Sequence, residues 1–404
     1  MLKINLSLKV ILFGFIFTFF SAFGQSFFIG IFNPNIREDL SITHGQFGSI
    51  YASATLMSSF LLIWVGKKID DMDVLRFSFF VAILLSFACY FFSSVKIITF
   101  LFIAIFLLRL SGQGLMSHTA TTTISRYFDK TRGKALSATW LGLSCAEFIL
   151  PVFIIFLLTV MSWRNIWLAI SLLILFLLPI ISFFLIRKLT LDSREKYKIE
   201  NMEKSSKIKQ WTRFQVLKDY RFYIISLNML AMPSIATGVF VFQSFILSSK
   251  NWGPYTIAQS FMVYSILSVV TLSITGFLID KFNSRKILIY MNIPLLLSTA
   301  VLYFFESSYS SYIFLGLIGI TNGLANVLGS STWAEIYGVK FIGGIKALTT
   351  SMMVFSTAFG TAIFGIAIDA GYSIKTISLF SGSYIIISLL LLIFCRKALK
   401  PTFI

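Results

Sequence analysis

The sequence is poor in the residues that build metal sites, disulfide frameworks and nucleotide-driven pumps. Its 404 residues include three cysteines and two histidines, and the cysteines stand far apart within apolar stretches. Isolated cysteines of this kind are typical of small core residues, not of a disulfide framework or a metal site. The sequence also lacks a Gly-x-x-x-x-Gly-Lys-[Ser/Thr] loop, which disfavours an ATP-driven pump. We expect neither a metal ion nor any other cofactor.

Charged residues are also scarce. They make up 12% of the chain, against 57% hydrophobic residues, a balance too apolar for a soluble protein of this size. Runs of about 20 apolar residues are long enough to cross a membrane as helices, and the alternation typical of barrel strands does not occur. We predict twelve spans, numbered one to twelve, at residues 10–32, 47–66, 75–95, 97–125, 134–159, 166–187, 222–248, 255–279, 286–305, 310–334, 346–368 and 374–395. The first run is too long for a cleavable signal and is predicted to be span one.

The positive charges are distributed unevenly between the predicted loops. With the N-terminus inside and twelve crossings, five of the 34 Lys and Arg residues fall in outside loops: Arg37, Lys96, Arg164, Lys250 and Lys375. This bias predicts a multi-pass protein of the plasma (inner) membrane with both termini in the cytoplasm. The net charge of +18 is therefore interpreted as a topology signal and not as nucleic-acid binding.

The second half of the chain repeats motifs of the first half. The motif Gly-x-x-x-Asp occurs at Gly66–Asp70 and again at Gly276–Asp280, and 134–137 (Lys-Ala-Leu-Ser) is echoed by 346–349 (Lys-Ala-Leu-Thr). A membrane protein that repeats at half length is typical of transporters built from two similar halves. We predict a six-helix bundle at 1–187, a basic cytoplasmic linker at 188–220 and a second bundle at 221–404. The linker is either an amphipathic helix on the anionic leaflet, around Ile208, Trp211 and Phe214, or a solvated segment.

Twelve spans, a six-plus-six repeat and paired Gly-x-x-x-Asp loops resemble the major facilitator superfamily over essentially the whole chain. The resemblance implies an all-α integral membrane fold of twelve transmembrane helices in two pseudo-symmetric six-helix bundles. The second loop keeps the cations that usually follow the motif, with Ser284 near the position of the usual glycine, whereas the first loop departs more. A looser similarity to the monocarboxylate and oxalate/formate carriers rests on 125–128 (Ser-Arg-Tyr-Phe), 132–135 (Arg-Gly-Lys-Ala) and 335–338 (Glu-Ile-Tyr-Gly). Members of that branch often carry a charge within spans eight or eleven, which this chain lacks.

The loop motifs predict latches that close one gate. The glycine would let the loop turn tightly against a neighbouring helix, and the aspartate would pair with cations or with a helix N-terminus. The proposed pairs are Asp70 with Arg126, Asp280 with Lys346, and Glu335 with Lys281 or Arg285. The predicted gating set is Gly66, Asp70, Arg126, Gly276, Asp280, Lys281, Arg285, Glu335 and Lys346.

Arg109 and Glu147 are the ionisable residues deepest within the spans, apart from His118. Counting helical rise from Lys96 and Lys134 places each about 20 Å deep, near the midplane. Charges at such depth are costly and usually functional. Spans four and five are consecutive, so the two side chains are expected to be able to meet. Either Arg109 binds an anionic group and Glu147 exchanges a proton, or the two form a structural pair.

Polar side chains at similar depth are candidate ligands. The predicted substrate-binding set is Arg109, Gln25, Gln113, Gln243, Asn322 and Asn326, although buried amides often join helices instead. His118 lies on the opposite face of span four from Arg109, which favours an interhelical contact over a proton relay, and we keep it beside Glu147 as a candidate for proton coupling.

We therefore predict a secondary transporter, not an enzyme, that moves a small organic anion such as a monocarboxylate by alternating access, with proton symport. The expected partners are a small-molecule solute, a proton and membrane lipids, without nucleic acid, and the expected state is a monomer. The alternatives are an efflux carrier for hydrophobic or cationic compounds and a membrane-embedded sensor that does not transport.

Overall fold

A computed structural model describes residues 6–70, 72–128, 132–187, 209–338, 341–397 and 399–400. At residues 70, 132, 133, 280, 330, 343 and 347 it describes the backbone alone. The described residues form helices and contain no strand, which confirms the all-helical prediction.

Twelve helical segments are long and apolar enough to cross a membrane, as predicted. They are Leu6–Ile31, His44–Lys67, Val74–Ser93, Ile98–Tyr127, Lys134–Val160, Trp163–Ile186, Tyr220–Val241, Thr256–Ile279, Ser284–Phe304, Ser310–Tyr337, Gly344–Asp369 and Ile374–Phe394. They keep the numbers one to twelve. Because consecutive spans alternate in direction, the side on which span one begins is called the starting side, and the opposite one the far side.

Span seven is shorter than predicted. The helix ends at Val241, and a separate short helix, Gln243–Lys250, follows it. The prediction of a continuous span over 222–248 was wrong because apolar content alone does not reveal a one-residue break between two helices.

By compactness the chain divides into two units. The first contains residues 1–194 with 240–244 and 361–369, and the second contains 195–239, 245–360 and 370–404. In the first unit span one packs beside span five, two beside four, and three beside six. In the second unit span eight packs beside ten and nine beside twelve, and Ser356 of span eleven donates to the Leu230 carbonyl of span seven at 2.8 Å. The same three pairings thus recur at corresponding positions of the repeat.

The segment before span seven packs against the second unit from residue 209 onward. The Trp211 amide donates to the Tyr337 carbonyl at 3.0 Å, and the Val216 side chain is fully buried in the core. Phe214 is 65% exposed. Ile208, and with it the start of the proposed amphipathic helix, lies outside the described residues.

On the far side, ion pairs join loops within each unit. In the first unit, Asp39 accepts hydrogen bonds from Trp163 and Arg164. In the second unit, the Glu306 carboxylate pairs with Lys250 at 3.0 Å and with Lys375 at 2.8 Å. Hydrogen bonds from Lys375 and Lys250 hold the pKa of Glu306 below its usual value. These pairs join loops whose contact could not be predicted from the hydropathy pattern.

The end of span eleven belongs to the first unit, where it contacts span two. The Asp369 carboxylate accepts hydrogen bonds from the backbone amides of His44, at 3.0 Å, and Gly45, at 2.7 Å. These amides open the span-two helix, whose free N–H groups and dipole favour a negative charge. Asp369 therefore acts as a helix cap supplied from a distant part of the sequence.

Candidate functional site

Span one is broken near the middle of its length. An α-helix over Leu6–Ser21 tightens into a 3-10 turn at Ala22–Gly24, and Gln25 is extended before helix resumes at Ser26–Ile31. Irregular backbone at membrane depth is tolerated where protein buries it or where it lines a cavity, and broken helices mark the solute sites of many transporters. The break is therefore the natural centre of a candidate site.

Gly24 brings the break against the backbone of span four. A Cβ atom added at Gly24 would lie 2.3 Å from the Leu108 carbonyl oxygen and 2.4 Å from the Gln113 nitrogen. Both are backbone atoms, which cannot move away as the end of a flexible side chain can, so the close approach requires glycine at this position.

Span four is itself irregular at the level of this contact. Its helix widens into a π-helix over Arg109–Met116 between α-helices at Ile98–Leu108 and Ser117–Tyr127. Such wide turns are rare and occur often at functional sites. The irregular parts of two neighbouring spans thus coincide at Arg109.

Arg109 is buried at this meeting point without a carboxylate partner among the residues that the structure describes. Its side chain is 3% exposed, its Nη1 donates to the Gly24 carbonyl at 3.0 Å, and its guanidinium carbon lies 5.2 Å from the ring centre of Tyr51 in span two. Its Nε makes no hydrogen bond to any residue that the structure describes. A backbone carbonyl and an aromatic face orient the cation but do not neutralise it. The site therefore keeps a positive charge that an anionic group can satisfy.

The expected meeting of Arg109 and Glu147 does not occur. Within the described part of the chain, no ion pair or hydrogen bond involves the side chain of Glu147, which is 9% exposed. The two side chains do not pair because the Arg109 guanidinium donates to the Gly24 carbonyl of span one and lies over the Tyr51 ring of span two. A structural ion pair between the two residues is therefore excluded in this conformation.

Glu147 nevertheless lies at the level of the break in span one. Spans one and five run in the same direction, and the Thr18 hydroxyl donates to the Thr139 carbonyl at 2.5 Å. An added Cβ at Gly142 would overlap the Phe15 carbonyl and lie 2.4 Å from the Thr18 hydroxyl. Five residues beyond Gly142, roughly 7 Å along the axis, Glu147 comes level with the 3-10 turn.

The predicted glutamine ligands have different surroundings. Gln25 and Gln113 are partly buried at the break and in the π-helix, and neither side-chain amide makes a hydrogen bond to the described residues. Gln243 is buried, and its amide nitrogen donates to the Phe27 carbonyl at 2.9 Å and to the Phe240 carbonyl at 3.1 Å. These bonds give Gln243 a packing role on the far side of the first unit.

The second unit contains a cavity of about 360 Å³ formed by spans seven, ten and eleven. Asn322 and Asn326 line it, as predicted for one face of span ten, and Asn322 also donates to the Ser268 hydroxyl at 2.9 Å. Among the lining residues that the structure describes, Lys346 is the one ionisable residue, and Trp333 also lines the cavity. Four methionines complete the apolar part of the wall: Met229, Met232, Met352 and Met353. Flexible thioethers adapt to apolar groups of different shape.

His118 and Arg126 hold the loop that follows span two. The His118 Nε2 donates to the Gly66 carbonyl at 3.1 Å, and the Arg126 Nη1 donates to the Ile69 carbonyl at 3.0 Å. The Asp70 side chain lies outside the described part of the structure, so its predicted pairing with Arg126 stays a prediction. His118 thus joins span four to span two, in line with the interhelical contact that the sequence favoured for it.

In the second loop, Glu335 contacts Arg285, one of its two proposed partners. Its Oε1 lies 3.1 Å from the Arg285 Nε, and its Oε2 accepts from the Ser284 amide at 2.8 Å and from the Ser284 hydroxyl at 2.5 Å. The carboxylate therefore caps the start of span nine. The other proposed cation, Lys281, is exposed and lies 5.3 Å from the Phe282 ring centre.

The glycine roles expected for this motif differ between the two copies. An added Cβ at Gly66 would come within 3.4 Å of the His118 ring, whereas at Gly276 it would meet nothing within 4 Å. The tight-packing explanation is therefore wrong for Gly276. The turn itself is made by Asn283, at φ 68°, so that Asn283, and not Ser284, takes the glycine-like conformation. The Asp280 side chain, and its predicted pairing with Lys346, lie outside the described part of the chain.

The sequence interpretation missed Tyr51 and the methionine-lined wall. Tyr51 is fully buried within an apolar span, where an aromatic residue gives no separate signal. The break could have been predicted, because Gly24, Gln25 and Ser26 interrupt the apolar run. Hydropathy averaged over a whole span does not reveal an interruption of three residues.

Comparison with known proteins identifies one family. The sequence profile described as Major Facilitator Superfamily matches residues 14–361. No protein of curated description matches the sequence.

Several solved transporters share the fold. A bacterial homolog of the human lysosomal transporter Spinster, solved inward-facing and unoccupied, superposes with a TM-score of 0.72 at 12% identity over 98% of each chain. The nucleoside transporter NupG gives 0.71 at 14% identity, over 98% of this chain and 99% of its own. A POT family transporter in complex with 5-aminolevulinic acid gives 0.72 at 14% identity, over 97% and 96%. At such identities the likeness shows the fold alone.

Proposed function

Because the chain belongs to the major facilitator superfamily, we propose that this multi-pass secondary transporter carries a small organic anion, such as a monocarboxylate, by alternating access coupled to protons. The observation that carries the proposal is Arg109, a buried guanidinium with no carboxylate partner among the described residues. A buried, uncompensated cation is costly, and an anionic solute would offset that cost when it binds.

The cavity of the second unit supports a solute with an apolar body. Its four methionines and Trp333 suit a hydrocarbon or aromatic group, while Asn322, Asn326 and Lys346 suit polar or anionic ends. An amphipathic carboxylic acid combines both features. The similarity to the monocarboxylate and oxalate/formate carriers points to the same class of solute.

Glu147 is the proposed proton carrier. It is buried at the level of the broken span one, beside the region of Arg109, and no described residue holds its carboxylate in a hydrogen bond or ion pair. A carboxyl group without a fixed partner is free to change its protonation state during the transport cycle. In the present structure His118 is bonded to a backbone carbonyl, which leaves Glu147 as the stronger candidate.

The orientation and the gates complete the proposal. The excess of Lys and Arg on the starting side supports cytoplasmic termini and the inner (plasma) membrane as the location. We propose a monomer, in which the Gly66–Asp70 segment held by Arg126, and the Gly276–Asp280 segment at the end of the span-eight helix, followed by the Glu335–Arg285 pair, act as latches on that side.

The direct test of the substrate class is transport by purified protein in liposomes. The panel contains short and aromatic monocarboxylates, dicarboxylates, neutral amide analogues of the same acids, and hydrophobic cations. We expect saturable counterflow for one or more monocarboxylates and none for their amide analogues. Equal transport of acids and amides would overturn the anion proposal.

An efflux carrier for hydrophobic or cationic compounds is the second candidate. It is favoured by the methionine-lined cavity together with Glu147, a buried carboxylate that could attract a cation. Transport of the hydrophobic cations in the panel, lost in Glu147→Gln and retained in Arg109→Gln, would support this function over the first.

A further inference from the structure

A second cavity, on the starting side of the second unit, is lined almost entirely by cations. It measures about 360 Å³ and lies between the beginning of span nine and the chain that follows span twelve. The described residues that line it are Arg285, Lys286, Arg396, Lys397, Leu399 and Lys400, which we call the basic basin. Five cations around one small space repel each other unless an anion is present.

The charges of the basic basin are largely uncompensated by the residues that the structure describes. Glu335 pairs with the Arg285 Nε at 3.1 Å, but the Arg285 Nη1 makes no hydrogen bond to a described residue. The other four cations, Lys286, Arg396, Lys397 and Lys400, form no ion pair within the ranges that the structure describes. Several donors are therefore available to a ligand that carries negative charge.

Both walls of the basin are fixed by burial or by hydrogen bonds to the rest of the second unit. Leu399 is 2% exposed within the core of the second unit, and the Lys400 carbonyl accepts from the Arg221 Nη1 at 2.8 Å. Arg221 is in turn fixed by the Asp219 carboxylate, 2.7 Å from its Nε. On the opposite wall, Glu335 holds the backbone of Ser284 and Arg285. The cations thus face the cavity on anchored chain, which lowers the entropy cost of binding.

The surroundings of the basin are apolar and exposed. Phe394, two residues before Arg396, is 81% exposed, and Tyr290, one turn after Lys286, is 62% exposed. Aromatic side chains next to Lys and Arg at the end of a span are typical of the membrane–water interface. A ligand at this place meets cations at its head and hydrocarbon beside it, which matches a lipid better than a soluble phosphate.

We propose that the basic basin binds the phosphate group of an anionic phospholipid from the leaflet on the starting side. The basin and its anchors, rather than the net charge of that surface, supply the specificity. Polybasic surfaces attract anionic lipids by charge alone, but a cavity with fixed donors on two walls also favours the geometry of a phosphate.

The test is lipid binding by the full-length protein in detergent, followed by native mass spectrometry and thermal unfolding. The basin variant carries Lys286→Gln, Arg396→Gln and Lys397→Gln together. A matched control removes the same charge on the same side through Arg187→Gln, Lys209→Gln and Lys218→Gln, all outside the cavity. The probes are phosphatidylglycerol, phosphatidylcholine and inorganic phosphate.

Phosphatidylglycerol is expected to bind and to raise the unfolding temperature of the wild type and the control, with phosphatidylcholine giving a smaller effect. In the basin variant its affinity should fall on the order of tenfold or more, because three cations near the surface are lost. Equal loss in basin and control variants would overturn the proposal, since bulk charge would then explain binding. An equal rise with inorganic phosphate alone would overturn the assignment to a lipid.

Discussion

At the scale of single residues, the structure separates charges that work in pairs from charges that stand alone. Lys250 is fully buried and has two oxygen partners, whereas Arg109 is almost fully buried and has one backbone carbonyl. The first arrangement is what a structural charge needs, and the second leaves bonding capacity for a ligand. The distinction depends on contacts that residue type alone does not reveal.

The Glu306 cluster should contribute stability in a pH-dependent manner. Because the pKa of Glu306 is lowered in the folded protein, its contribution is present at neutral pH and is lost as the pH falls from about 4.5 through the folded value. We expect Glu306→Gln to cost roughly 0.2–1 kcal/mol at neutral pH, because Lys250 loses a carboxylate that is half exposed and screened by solvent but keeps the Phe305 carbonyl.

The measurement is thermal unfolding in detergent at neutral and acidic pH. The difference between wild type and Glu306→Gln should shrink on acidification, and the exposed control Glu38→Gln should show no such difference. A difference that does not depend on pH would contradict the assigned ion pair.

At the scale of elements, the site is made by two irregular helices that meet. The break in span one and the π-helix of span four touch through Gly24 and Gly112, and Arg109 bonds across the contact. Each irregularity would be unfavourable alone, because it leaves backbone groups without their helical partners. Together they place the Arg109 guanidinium and the Gly24 carbonyl at the contact between the two spans.

Replacing Gly24 with Ala should force these two spans apart. The new Cβ would overlap the backbone of Leu108 and Gln113, so we expect a loss of about 1–3 kcal/mol in stability and a larger loss of transport. Gly276→Ala is the matched variant, since its Cβ meets nothing, and helix propensity predicts a gain of roughly 0.5–1 kcal/mol. The unfolding temperature and the uptake rate of both variants test these expectations. A Gly24→Ala protein with the unfolding temperature and uptake of the wild type would refute the close contact.

The latch at the start of span nine gives a second prediction at this scale. Glu335→Gln removes the ion pair to Arg285, and Asp280→Asn changes the motif aspartate, so each should slow uptake by about tenfold at normal protein levels. Glu38→Gln serves as the charge-matched control. Unchanged uptake in both latch variants would eliminate the gating role of this loop.

At the scale of the whole molecule, we propose that two groups of one transporter share the work: Arg109 binds the solute, and Glu147 binds the proton. Glu147→Gln should keep solute exchange but abolish accumulation driven by a pH gradient, because glutamine cannot carry the proton. Liposome uptake with and without an imposed gradient measures this, with Glu38→Gln as the control. Full gradient-driven accumulation in Glu147→Gln would refute the proton role.

The architecture followed from sequence because run length and hydropathy alone decide where a helix can span a membrane. The position of Arg109 well inside span four was also predictable, by counting residues from a flanking lysine, whereas its depth in a membrane stays a prediction. Its neighbours were not, because span five lies beside span one although it follows span four in sequence. The turn at Asn283 was not predicted either, because motif spacing does not identify which residue adopts a positive φ.

The most direct test of the central claim is equilibrium binding of the transported anion to purified protein. The comparison is wild type, Arg109→Gln, Arg109→Lys and the surface control Arg187→Gln, with the solute identified by the liposome panel. The account predicts at least a tenfold loss of affinity in Arg109→Gln, partial recovery in Arg109→Lys and no change in the control, since a charged hydrogen bond contributes about 1.5–3 kcal/mol. Wild-type affinity in a folded Arg109→Gln protein would contradict it.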